Sequence, residues 1–251
     1  RPAHPRPREL RRPGVARRHR VGAAAGSGRV AFVYDHLWPH TIGGAERWYA
    51  AIAARLAEEG EGVTLVSRTF PAMGAHPPDG VEVVGLGRGG RLRFPLALAW
   101  HLLRHGRRYR VVHVCSFPSG LSILAARLGL LPHRRTTPLV GDWHEVLSAE
   151  DWRARRGRLL GLAGRLVQRA ATRAGDAVVT FSRLHAGRLG REATIVPEFP
   201  ALERLPAAAG AEDREPLVLF AGRLVPQKRA HLVPAVVAEL RRHDPAWRGV
   251  I

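Results

Sequence analysis

Three short segments place polar side chains directly after an apolar run. In Thr41-Ile42-Gly43-Gly44-Ala45-Glu46-Arg47, the two glycines permit close backbone approach, and the unsatisfied N–H groups at the start of the following helix suit an anion. The bland alternative is a tight turn whose capping acid is Glu46. Val140-Gly141-Asp142-Trp143-His144-Glu145 gathers Asp142, His144 and Glu145. A histidine there can donate to a sugar hydroxyl or a phosphate and titrates near neutral pH; a satisfied structural histidine is the competing account. The pair His144-Glu145 lacks the second histidine of H-E-x-x-H, Ser148 standing in its place, so no metal is expected. The third segment is Phe220-Ala221-Gly222-Arg223-Leu224-Val225-Pro226-Gln227-Lys228. Arg223 and Lys228 lie at the two ends of one loop and can converge on a phosphate, the first as a planar fork and the second as a point charge. All but one of the 40 basic residues are arginine, and the single lysine is Lys228. In such a chain, a lysine at this place points to a need for ammonium geometry.

The elements that must position these loops alternate. Val30, Ala31, Phe32, Val33 and Tyr34 read as a buried parallel strand. Residues 45–59 follow as a helix with Ala45, Trp48, Tyr49, Ile52, Ala53 and Leu56 on one face. Strands are predicted near 63–66, 81–84, 111–115, 137–141, 177–181 and 193–196, with helices near 92–105, 120–129, 152–174 and 183–189. This pattern predicts an α/β, Rossmann-like, mostly parallel sheet with helices on both faces, whose ligands bind beyond the carboxyl ends of the strands. A Pro-, Ala- and Gly-rich stretch follows. A strand at 217–220, a helix over 228–242 and a strand starting at 248 then read as the opening of a second Rossmann-like domain. The expected organisation is a disordered Arg/Pro tail over 1–28, a first domain over 29–197, a linker over 198–215 and an incomplete second domain over 216–251. The tail is expected to be dispensable for folding.

The 251 residues are 45% hydrophobic and carry a formal net charge of +19. The apolar content suits a soluble globular chain, and no apolar run approaches the roughly 20 residues that cross a bilayer. The lone cysteine, Cys115, offers no disulfide framework, so the cytoplasm is the natural compartment. The charge admits a non-enzymatic alternative, a basic Rossmann-like protein that binds polyanions or membrane surfaces. No recognised nucleic-acid motif accompanies it, so no specific nucleic-acid partner is expected. Over 152–174, Leu159, Leu162, Leu166 and Ala170 form a stripe amid Arg155, Arg158, Arg165, Arg169 and Arg173. That composition fits either a core-packed helix with a solvated arginine face or a helix resting on an anionic membrane. Gly85-Leu86-Gly87-Arg88-Gly89-Gly90 satisfies the dinucleotide-binding spacing. However, it does not follow the first strand, and no Asp or Glu occurs between Glu82 and Asp142 to hold a ribose.

Taken in order, these segments resemble the family 4 glycosyltransferases of the GT-B architecture, two Rossmann-like domains facing across a cleft. The matching motifs are G-G-x-E at Gly43–Glu46, the histidine His144 after a later strand, Phe181-Ser182 at the end of another strand, and G-R-L-x-x-x-K from Gly222 to Lys228. The family's usual Asn-Gly after the hinge proline is replaced by Glu198-Phe199 after Pro197. The resemblance implies retaining, metal-independent transfer of a sugar from a nucleotide-sugar donor to a sugar, lipid-linked or small-molecule acceptor, with no cofactor beyond that donor. It further implies that Arg223, Lys228 and Gly44 contact the donor diphosphate, that His144 is catalytic, and that Gly43, Glu46, Asp142 and Glu145 bind acceptor or substrate. The resemblance also implies that the first domain lies on the acceptor side; the family's second-domain glutamate pair would lie beyond Ile251, so the fragment is expected to be inactive alone. Peripheral contact with the inner face of an anionic membrane fits the same reading.

In the full-length enzyme, Lys228→Ala should lower kcat about a hundredfold, because a contact that strengthens as the leaving group departs acts on the transition state. Lys228→Arg should restore it only in part. Steady-state kinetics on folded variants check this, and a wild-type rate in the alanine variant would remove the role.

Overall fold

The computed structural model describes residues 28–36, 43–69, 79–87, 92–116, 120–197, 215–222, 224 and 228–251. The chain divides into two compact units, residues 1–199 and 200–251. The expected tail and the greater part of the expected linker lie outside the described residues, as does Arg223.

The first unit is built on seven parallel strands: β1 (Arg29–Val33), β2 (Val63–Ser67), β3 (Val81–Gly85), β4 (Tyr109–Cys115), β5 (Leu139–Trp143), β6 (Ala177–Thr180) and β7 (Thr194–Ile195). Their order is β3-β2-β1-β4-β5-β6-β7, and every pairing is parallel. This is the doubly wound, Rossmann-like α/β arrangement. Residues alternating along β1 feed two cores, as the two-residue period of a strand requires. Val30 and Phe32 pack with Trp48, Tyr49 and Ala53 of α1 (Gly44–Glu58). Ala31 and Val33 join the core formed with α2 (Arg93–His105) and α3 (Leu121–Gly129). Gly129 brings α3 so close to the Ala99 carbonyl of α2 that a Cβ would collide with backbone.

The order of the sheet reverses direction between β1 and β4, and there the carboxyl ends diverge into the crevice where open α/β sheets bind ligands. The Gly85–Gly90 spacing instead opens on the last residue of β3, an edge strand, and not at the point where the order reverses.

Two expectations are corrected. Strand β5 runs to Trp143 rather than ending at residue 141, so Asp142 lies inside the ladder, opposite Cys115 on one side and Val179 on the other. Helix α4 (Ala149–Ala174) is not the single helix expected from residue 152. It starts earlier, on a capping box between Ser148 and Asp151, and breaks at Gly157, whose φ of 75° suits glycine alone. The break folds Trp152 back onto the following segment, where a Cβ on Gly161 or Gly164 would strike its backbone or ring. Trp152 Nε1 donates to Gln168 Oε1 at 3.1 Å, and Gln168 Nε2 donates to the Leu147 carbonyl at 3.0 Å. The inward face of α4 is therefore Gly161, Gln168, Ala171 and Thr172. The leucine stripe faces outward, with Leu159 84%, Leu162 55% and Leu166 56% exposed, which decides against a core-packed stripe.

The second unit contains β8 (Leu217–Leu219) paired in parallel with β9 (Arg248–Val250). Helix α6 (Val233–Arg241) lies between them in sequence, Val237 closing over Gly249. The helix expected from 228 begins only at Val233, after a single tight turn at Ala230–Leu232.

Candidate functional site

Asp142 is fully buried and accepts three hydrogen bonds on one oxygen. The donors are the Tyr49 hydroxyl of α1, His113 Nε2 of β4 at 2.9 Å and His144 Nε2 at 3.0 Å. An ionised carboxylate only accepts, so both histidines carry a proton on Nε2. Burial pushes the Asp142 carboxyl up, but hydrogen bonds from His113 and His144 outweigh it and hold the group well below the ordinary carboxylate range. Burial, followed by the nearby Cys115 and Asp142, pushes Tyr49 well above its ordinary range. Tyr49 therefore remains a hydroxyl donor, and the network is a fixed anion with three fixed donors.

Residues just past the strand ends extend this network into a row of rings. His36 lies 5.4 Å from Tyr34, and Tyr34 lies 5.6 Å from Tyr49. Tyr49 stacks on His144 at 5.5 Å and 23°, and His144 meets the edge of Phe181 at 4.1 Å. Trp48 adds an edge contact to His144 at 5.7 Å. The row crosses the carboxyl ends of β1, β5 and β6. At its β1 end the buried Asp35 accepts from His36 Nδ1 at 2.6 Å, and its carbonyl accepts from Arg68 Nε at 2.8 Å. Below the row lies Cys115, the buried thiol beside Tyr49.

The residues singled out from sequence divide accordingly. His144 is held against α1, the helix that Gly44 opens. Among the described residues no side chain caps the first turn of α1, and nothing approaches the Cβ position of Gly44; a helix start of this kind suits an anion. Gly43 is covered by the Glu46 carboxylate. Asp142, expected to touch substrate, is buried by its place inside β5 and is in contact with Tyr49, His113 and His144. Glu145 pairs with Arg155 at 2.7 Å. Lys228 is exposed in the second unit. Among the described residues, no group of three His, Cys, Asp or Glu is arranged to hold a metal ion.

Tyr49, His113, Asp35 and His36 were not singled out for chemistry. Tyr49 and His113 sit on elements that read as core, and only their pairing with Asp142 across 93 and 29 residues reveals them. The signal that was present is a histidine in the middle of an apolar strand, at Val111-Val112-His113-Val114.

Asp142→Ala should destabilise the fold by about 3–5 kcal/mol, because it strands buried donors without their anion; Asp142→Asn should cost less. Since folding lowers the Asp142 pKa, its contribution is complete above the ordinary carboxylate range and is lost as pH falls below it. Denaturant melts from pH 7 down to pH 3 should therefore show a flatter acid limb in Asp142→Asn than in the wild type.

Residues 43–198 match the family described as "Glycosyl transferase 4-like domain". A search of curated proteins returns no match. Among solved structures, the chain is similar to a short-chain dehydrogenase/reductase from Veillonella parvula, solved ethylated and in complex with NADP. Each of those two structures is 15% identical, with 61% of this chain and 68% of that one covered and a TM-score of 0.37. It is also similar to the glycotransferase of kitacinnamycin, at 14% identity and a TM-score of 0.46, with 88% of this chain and 64% of that one covered. The family match begins at the Gly43-Gly44 turn, takes in every element that carries the ring row past β1, and spans more than half of the sequence: the chain belongs to the glycosyl transferase 4-like family.

Proposed function

We propose that the protein transfers a sugar from a nucleotide-sugar donor to an acceptor hydroxyl, with retention of configuration, no metal and no cofactor beyond the donor itself. The observation that carries this reading is His144, fixed by a buried carboxylate at the end of β5 and pressed against α1 near its uncapped start. A transferase needs a polar group and an anion-binding backbone held in one place, so that reorganisation costs little when charge develops on the leaving group. In this reading the first unit takes the acceptor, and the Gly44 turn meets the donor phosphate. The loop between Arg223 and Lys228 neutralises the departing diphosphate, and His144, whose Nε2 proton goes to Asp142, accepts through Nδ1 from a hydroxyl of the transferred sugar or the acceptor. The acceptor is a sugar, a small molecule or a lipid-linked molecule.

The test is release of nucleoside diphosphate from a panel of nucleotide sugars by the full-length protein. His144→Ala should lower turnover by about a hundredfold or more in protein whose folding is verified at the assay temperature, because the variant also loses one of the three donors to Asp142. Turnover at the wild-type rate in that variant, or no release from any donor, overturns the proposal.

A second reading, which accompanies transfer or replaces it in a non-enzymatic protein, is favoured by α4. Its leucines Leu159, Leu160, Leu162 and Leu166 all face solvent, and Arg158, Arg165 and Arg169 share the segment. We infer that this face rests on an anionic bilayer, which matches it in both apolarity and charge; the inner membrane face is such a surface. Among the described residues, no helix is long and apolar enough to cross a membrane. Co-sedimentation should occur with vesicles containing phosphatidylglycerol but not with pure phosphatidylcholine, and Leu159→Asp/Leu162→Asp should abolish it. Binding indifferent to either change rules the face out.

A further inference from the structure

A second concave region lies between α4 and α5 (Arg183–Leu189) and shares no residue with the ring row. This cleft of about 610 Å³ is lined by Arg165, Arg169, Arg173, Arg188 and Arg191, with no acidic residue in its lining. The size lies within the range of small-ligand pockets. Two of the five guanidinium groups are anchored by the fold. Arg191 Nη1 donates to the carbonyls of Thr172 at 2.9 Å and Gly175 at 3.0 Å, tying the loop after α5 to the end of α4. Arg188 Nη1 donates to the Val146 carbonyl at 3.1 Å and has Asp151 at 3.5 Å. Arg165, Arg169 and Arg173 recur every fourth residue along α4, so they line one side of the cleft as a row. Among the described residues, no carboxylate pairs with any of these three.

Five arginines line one concavity, Asp151 is the one acid that pairs with any of them among the described residues, and an anion between them would offset their mutual repulsion. Arginine's planar fork fits phosphate oxygens in pairs, and anchored side chains lose little freedom on binding. We propose that this cleft binds a phosphate-bearing ligand, a phosphate or diphosphate group gripped between the arginine row of α4 and the anchored pair Arg188 and Arg191. The group can belong to a soluble phosphate ester or to the headgroup of an acidic phospholipid, since Leu162 and Leu166 stand exposed on the same helix. This site stands independently of sugar transfer, whose residues lie at the strand ends.

Isothermal titration of the full-length protein with inorganic pyrophosphate tests it. One site should be seen, and Arg165→Gln/Arg169→Gln should weaken it about a hundredfold, roughly tenfold per charged contact. Neither side chain anchors the fold, and thermal melts confirm that the variant is folded. The matched control, Arg55→Gln/Arg242→Gln, removes two exposed arginines elsewhere that pair with glutamates, and it should change binding less than twofold. Vesicles containing phosphatidic acid separate the two sources. If the headgroup is the ligand, pyrophosphate displaces the protein from vesicles and the cleft variant no longer binds them. If a soluble ester is the ligand, the variant loses pyrophosphate but still sediments with vesicles. No pyrophosphate binding, or an equal loss in the control, overturns the proposal. Both outcomes leave nucleoside diphosphate release by wild type and His144→Ala as a separate measurement.

Discussion

A single buried carboxylate organises the first unit. Asp142 lies within a parallel strand, where an unpaired charge would cost several kcal/mol. It is tolerated because three donors from three different elements converge on it: Tyr49 from α1, His113 from β4 and His144 from the turn after β5. Each donor is thereby held as well. The carboxylate fixes which nitrogen of His144 carries its proton, and it sets the level of α1 against the sheet through Tyr49. The energetic demand of burying the anion and the geometric demand of fixing a histidine are met by the same bonds.

Most of the fold was legible in the sequence because period and punctuation agree there. Apolar runs of four or five residues separated by amphipathic segments leave little choice other than a parallel sheet covered on both faces, and the described strands fall where those runs do. What could not be read depended on contacts across the chain. That Asp142 is internal to β5 follows from the pairing of Cys115 and Val179 on either side of it, not from its neighbours in sequence. His113 stands in the middle of an apolar run, and nothing near it in sequence points to Asp142, 29 residues away.

The outward leucines of α4 show the opposite limit. A stripe of leucines on a helix normally marks the buried side, and the arginines around Leu159, Leu162 and Leu166 fit a solvated back. What reversed the helix was the set of small residues, Gly161, Gly164, Ala171 and Thr172, together with Gly157. Glycine at 157 allows the chain to double back, and glycine at 161 and 164 leaves room for the Trp152 backbone and ring. With that side occupied, the leucines have only the outside. The signal was in the glycines, whose spacing has meaning only once Trp152 is known to lie on them.

The placement of Cys115 has a practical consequence. It is the only cysteine in the sequence, and it is buried beneath the ring row next to Tyr49. A thiol reagent can reach it only when that floor parts, and when reclosing is fast the labelling rate follows the population of the open form. The native chain thus carries a clock for breathing of its own crevice. Occupancy of the strand ends by any ligand would be registered as slower alkylation of one sulfur atom, without engineered probes and before the ligand's chemistry is known.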